Sequence, residues 1–189
     1  MPLGTILRLS GVPTAGASAP RCRFEARDGA ENATVVTASV LAEAPGARAL
    51  LCEAPPMAAS GTPVALSLSL NAQQWAPTTA RFYSVPPPRV ESVLPDLSPS
   101  SGGLVLELTG DHLEGGSDYR CRFDEAIVVP ASYDAHSGTV LCVSPPGLLG
   151  YVRVAVSLNG QQFSEADQPA DGAVLTYYNV HALDDAFPG

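Results

Sequence analysis

Val64, Leu66, Leu68 and Leu70 alternate with Ala65, Ser67 and Ser69. The same period of two runs through Val152, Val154, Val156 and Leu158, interleaved with Arg153, Ala155 and Ser157. It recurs in Leu104, Leu106 and Leu108, interleaved with Val105, Glu107 and Thr109. Strict alternation gives a strand one buried and one wet face, as in an antiparallel sheet packed on a second sheet. Turn signals separate the runs: Ser100-Ser101-Gly102-Gly103, Gly115-Gly116, Ser137-Gly138 and Pro145-Pro146-Gly147. The pattern predicts an all-β chain of about seven short strands per domain, folded as β-sandwiches.

The pattern occurs twice. GTILRLSG at 4–11 matches GLVLELTG at 103–110, and RCRF at 21–24 returns at 120–123. Cys52-Glu53-Ala54-Pro55-Pro56 matches Cys142-Val143-Ser144-Pro145-Pro146, and LNAQQW at 70–75 matches LNGQQF at 158–163. Phe82-Tyr83-Ser84-Val85 resembles Tyr177-Tyr178-Asn179-Val180. The order is kept while the spacing drifts, as expected of two homologous domains with different loops. Pro86-Pro87-Pro88 cannot join a ladder and reads as the linker. The expected division is 1–87, 88–180, and a tail or linker at 181–189. About fifteen residues precede GLVLELTG in the second copy and only Met1-Pro2-Leu3 precede its mate in the first. The first domain is therefore expected to lack its opening strand, as a fragment of a longer repeat array would, and to expose a sheet edge. Asn159-Gly160 predicts a tight hairpin with positive φ at both residues. Asn71-Ala72 at the same place predicts a strained turn or a longer loop.

Each copy carries two cysteines at matching places, Cys22 and Cys52, Cys121 and Cys142. Four cysteines allow three pairings. The repeat selects one, in which each domain closes its own bridge; ordinary buried thiols are the alternative. In RCRF, Cys121 and Phe123 share one face and Arg120 and Arg122 the other, so the sulfur points inward. Neither a Cys-x-x-Cys nor a histidine at ligand spacing from a cysteine is present, which argues against zinc. Bridges imply an oxidising compartment. Asn32-Ala33-Thr34 is a glycosylation sequon that agrees with it.

The second copy, PRVESVLPDLSPSSGGLVLELTG, RCRF, VLCVSPP, VRVAVSLNGQQFS and LTYYNV, resembles an IPT/TIG domain. This is the immunoglobulin-like fold of plexins, the hepatocyte growth factor receptor family, fibrocystin-like proteins and some transcription factors. The resemblance covers 88–180 and, less completely, 4–85. It implies two tandem immunoglobulin-like β-sandwiches, bridges Cys22–Cys52 and Cys121–Cys142, and a stalk or protein-binding role in an extracellular or cell-surface protein.

Charge narrows the partners. Residues 1–87 hold 6 Arg and 5 acids; residues 88–189 hold 4 Arg and 14 acids, and the whole chain is at −9. That balance repels phosphate backbones and excludes nucleic acid. No apolar run has the roughly 18 residues a membrane-spanning helix needs, so this segment does not insert itself into a membrane. No signal-peptide pattern opens it.

Catalytic chemistry is not legible. His112, His136 and His181 read as loop or tail residues, and no Gly-x-Ser-x-Gly elbow or phosphate loop is present. No cofactor is expected. Asp111, Glu114 and Asp118, and separately Glu165, Asp167 and Asp171, read as solvated acidic loops, with calcium binding the sharper alternative. Trp75 and its mate Phe163 read as core plugs, or as exposed aromatics that stack on a sugar or partner. The expected function is a non-catalytic module for protein interaction, adhesion or spacing, with a protein ligand or neighbouring repeats as partners. The alternative is a carbohydrate-binding or spacer domain, favoured by an aromatic pair exposed on one face. A Rel-like dimerisation domain is opposed by the acidity and the paired cysteines.

Overall fold

The computed structural model describes residues 4–26, 33–42, 48–56, 63–124, 126–164 and 173–179. These residues form strands and connecting turns, with no helix among them. The chain divides between Pro86 and Pro87 into two compact units.

The first unit holds β1 (Ile6–Ser10), β2 (Arg21–Ala26), β3 (Thr34–Ala42), β4 (Arg48–Glu53), β5 (Pro63–Ser69) and β6 (Ala76–Tyr83), hydrogen-bonded in the order β1-β4-β3-β2-β5-β6. The second holds β7 (Arg89–Leu94), β8 (Leu97–Pro99), β9 (Val105–Asp111), β10 (Arg120–Phe123), β11 (Ile127–Asp134), β12 (Thr139–Val143), β13 (Gly150–Ser157) and β14 (Val174–Tyr178). Its order is β7-β9-β12-β11-β10-β13-β14-β8. Remove β7 and β8 and the two orders are the same. Among the described residues the first unit has no counterpart of β7 or β8, so β1 and β6 end its sheet. The leucine runs that define β1 and β9 in the sequence therefore differ in company: β9 is flanked on both sides, β1 on one.

A split strand folds each ladder into two layers. Ile127 to Pro130 pair with β10, and from Ala131 onward β11 pairs with β12. Pro130 has no N–H to give, and it stands where the ladder changes partner. In the first unit Thr34 to Thr37 pair with β2 and Ala38 onward with β4. The crossing point is tied identically in both, by Ala131 N–H to the Tyr119 carbonyl and Ala38 N–H to the Pro20 carbonyl, each 2.9 Å.

Alternation then buries one face of each layer. Leu106, Leu108, Val140 and Cys142 meet Cys121, Phe123, Val152, Val154, Val156 and Leu175 in the second core. Leu50 and Cys52 meet Cys22, Phe24, Val64, Leu66 and Leu68 in the first. Phe24 and Phe123, the closing residues of the two RCRF runs, are both essentially inaccessible. Burying such a side chain contributes about 1.5–3 kcal/mol.

β7 opens the second sandwich on β9, and Ser92 and Thr109 hydroxyls meet at 2.6 Å between them. A β-carbon on Gly110 would stand 1.9 Å from the Arg89 carbonyl oxygen, so only glycine lets β7 approach this closely. The Leu94–Pro95 bond is cis, and beyond it β8 pairs in parallel with β14.

Two expectations are corrected. Asn159-Gly160 is not a two-residue hairpin. Only Gly160 has positive φ, at 69°, with Ala72 its counterpart at 61°. Asn159 works through its side chain, as described below, and β14 begins well beyond it. The pairing of Phe82 with Tyr177 is also replaced. Val64 lies opposite Phe82, while its repeat-mate Val152 lies opposite Leu175. Phe82 is thus equivalent to Leu175. A slip of two residues keeps every side chain on its own face, so alternation cannot reveal it.

Candidate interaction site

The turn after β13 is organised by one side chain. Asn159 Oδ1 accepts the backbone N–H groups of Gln161 at 3.0 Å and Gln162 at 3.1 Å, and its amide donates to Gln162 Oε1 at 2.7 Å. Asn71 does the same with Gln73 and Gln74, both N–H groups at 3.0 Å, and its amide donates to Gln74 Oε1. An asparagine closing on its own following backbone is a local substitute for a backbone turn.

These turns deliver Trp75 and Phe163 to the outside of the sheet. The reading of both as core plugs is corrected: each is half-buried and belongs to neither core. The Arg23 guanidinium lies 4.8 Å from the Trp75 ring centre, and that of Arg122 lies 4.5 Å from the Phe163 ring. The reason is the second arginine of each RCRF run. It points away from the core, and its guanidinium lies over the aromatic ring. Arg23 Nε and Arg122 Nε are both buried without a hydrogen-bond partner, and Glu25 Oε1 lies 2.9 Å from Arg23 Nε as an ion pair outside hydrogen-bond geometry.

The ladders extend this outer face. Arg120 and Arg122 lie opposite Ser157 and Ala155 of β13. Tyr151 lies opposite Thr176 of β14, and Thr176 opposite Leu97 of β8; Arg153 and Tyr178 belong to the same face. Tyr151 is 83% exposed, Leu149 64%, Leu97 52% and Tyr178 43%. Arg120 is tied to Asp118 at 3.1 Å in an exposed pair. In the first unit the matching face carries Arg21, Arg23, Arg81 and the exposed Tyr83. There a bulge in β6 leaves a hollow of about 360 Å³ lined by Pro63, Ala65, Thr78 and Arg81 among others.

Cys22 and Cys52 are bonded between β2 and β4, and Cys121 and Cys142 between β10 and β12, with Cα separations of 6.3 and 6.5 Å. Each bridge links the two layers of its own sandwich. Asn32, Glu165, Asp167, Asp171 and His181 lie outside the described residues. Among those described, no three His, Cys, Asp or Glu side chains gather as a metal site. Asp118 is paired with Arg120. His136 donates its backbone N–H to Asp134 Oδ1 at 2.9 Å, and Ser137 donates its hydroxyl to Oδ2 at 3.0 Å. These bonds, the first above all, hold the Asp134 carboxyl below its ordinary pKa of 3.8. Burial pushes the Tyr177 hydroxyl up, with Ser144 and Ser98 nearby opposing it. Sequence reasoning missed the outer face as a unit, because Leu97, Tyr151 and Tyr178 come from three separated strands.

Residues 88–171 match the family model of the IPT/TIG domain. The second unit belongs to the IPT/TIG family. Two solved structures of the plexin A4 full extracellular region share the fold. One, with domains 1 to 10, matches at TM-score 0.58 and 13% identity, over 95% of this chain and 15% of that one. The other, with domains 1 to 8, matches at TM-score 0.52 and 16% identity, over 93% of this chain and 17% of that one. This chain thus spans about a sixth of those plexin chains. The SGBP-B of the Bacteroides ovatus mixed-linkage glucan utilization locus, in complex with a mixed-linkage heptasaccharide, aligns over 95% of this chain and 42% of its own at 12% identity, with a TM-score of 0.32. No curated protein matches this chain.

Proposed function

We propose that this chain is a non-catalytic module of an extracellular or cell-surface protein, made of two tandem IPT/TIG domains, that engages a protein ligand or neighbouring repeats. The observation that carries the reading is the layer-to-layer cystine in each unit. Two such bridges belong to an oxidising compartment, where small β-sandwiches are stapled in this way. Plexin A4 extracellular domains of the same fold support it. The first unit is assigned as a second copy on its shared strand order, its equivalent crossing bond and its Asn71 turn. Asn32 is its glycosylation site. The acidic balance of the chain keeps nucleic acid away. A β-sandwich leaves sheets and loops free for partners, and its fold alone names none.

The test is disulfide mapping by mass spectrometry, with free-thiol counting, on protein made through a secretory route. Bridges Cys22–Cys52 and Cys121–Cys142, with no free thiol, are expected. Four free thiols in a folded chain would overturn the extracellular reading. The second reading, carbohydrate binding, is favoured by one observation: Tyr151 and Tyr178 are both exposed on one sheet face. Saturable binding of a soluble mixed-linkage glucan, lost in Tyr151→Ser, would establish it in place of the first.

A further inference from the structure

The charges of the second unit are unevenly placed. It holds 4 Arg against 14 acids. Three of those arginines, Arg120, Arg122 and Arg153, stand on the outer face of β10 and β13, and the strand positions of that face carry no carboxylate. Arg120 already has Asp118. The Arg122 guanidinium lies on Phe163; the carboxylate of Asp124 accepts the Arg153 backbone N–H at 2.9 Å, while the Arg153 side chain is exposed. Beside these cations lie Tyr151, Leu149, Leu97 and Tyr178, all exposed. An apolar, aromatic centre with an available arginine is the composition of an interface core.

We infer that the outer face of β10-β13-β14-β8, centred on Tyr151 and Arg153, docks a protein surface that is apolar at its centre and presents one or two carboxylates to Arg153 and Arg122. This rests on the interaction-module reading and names its surface. Charge decides between occupants. A polyanion meets the net negative field of the whole unit and is turned away. A basic surface meets the arginines at contact. An apolar surface with only one or two carboxylates pairs with the arginines at contact, where the short-range attraction outweighs the weak repulsion that so small a charge meets from the distant, salt-screened field. A second copy of this chain brings the same arginines and the same net charge, and so does not fit. Tyr151 is the anchor: its large ring is exposed by itself and becomes buried only against a partner.

The experiment selects peptides from a displayed random library against the intact chain. It then measures each binder against wild type, Tyr151→Ser and Arg153→Gln, with unchanged thermal midpoints showing that both variants fold. The expected binders combine Leu, Phe or Trp with Asp or Glu. They lose about tenfold or more in affinity on Tyr151→Ser and about three- to tenfold on Arg153→Gln, and they weaken as salt rises. Binders rich in Lys and Arg, or binders indifferent to both substitutions, would overturn the assignment of this face while leaving the interaction module standing. A selection that returns no binder would count against both. A mixed-linkage glucan that saturates the wild type and not Tyr151→Ser would replace the protein partner with a carbohydrate.

Discussion

Replacing Ala72 by glycine should stabilise the first unit. Ala72 holds φ at +61°, at the position where the second unit has Gly160 at +69°. An L-residue in this region crowds its β-carbon against the following carbonyl and costs roughly 1–2 kcal/mol relative to glycine. Glycine also gains freedom in the unfolded chain, which opposes the benefit by about 0.4–1 kcal/mol. The net gain is on the order of 0.5–1 kcal/mol. For a unit of this size each kcal/mol shifts the midpoint by about 4–8 °C, so Ala72→Gly should raise it by roughly 2–8 °C. The assay is built in. The chain has a single tryptophan, Trp75, three residues beyond the substitution and 4.8 Å from the Arg23 guanidinium. Its fluorescence reports the unfolding of the first unit alone. The converse change, Gly160→Ala, should destabilise the second unit by about 1–2 kcal/mol on the same backbone argument. Its new β-carbon would also meet Asp118 Oδ2 at 2.4 Å. An Ala72→Gly midpoint that stays level or falls would refute the reasoning, since the backbone benefit would then be no larger than the unfolded-state loss.

Asp134 predicts an acid-side effect. Its pKa is depressed by the His136 N–H and then the Ser137 hydroxyl, so the ionised form stabilises the fold above the ordinary carboxylate pKa of 3.8. That contribution should fade as pH falls from about that value through the lower folded one. Asp134→Asn should flatten this part of a stability profile measured by urea unfolding between pH 2 and 7; parallel acid limbs would contradict it. The Arg122–Phe163 contact should show a coupling of about 0.5–1 kcal/mol in a double-mutant cycle with Arg122→Met and Phe163→Leu, as expected for a partly exposed cation over a ring. Additive losses would remove it.

Much of the fold is legible in the chain because its information is local. A period of two decides which side chains face inward, so Cys121 and Phe123 belong to the core side and Arg120 and Arg122 to the outer side whichever strands adjoin them. Repetition located the sandwiches and their cysteines together, since matching loops must connect matching strands. Where the signal is equally local but ambiguous, the structure decided. Asn159-Gly160 has the letters of a hairpin turn, yet its asparagine side chain captures Gln161 and Gln162 and sends the chain elsewhere. Trp75 and Phe163 have the hydrophobicity of core residues, yet their rings lie against arginine guanidinium groups outside the core. Aromatic likeness between Phe82 and Tyr177 concealed a two-residue slip that the period of two cannot register.

The sequence by itself determined the strands, their inward faces and the duplication, because each depends on neighbours one or two residues away or on comparing the chain with itself. Only the tertiary structure decided which strands adjoin. Leu97, Tyr151, Arg153 and Tyr178 come from separate stretches of chain, and the order β10-β13-β14-β8 makes them one surface. That order is set by long-range pairing and by the split of β11 between two layers. Neither leaves a mark in the spacing of the residues it brings together.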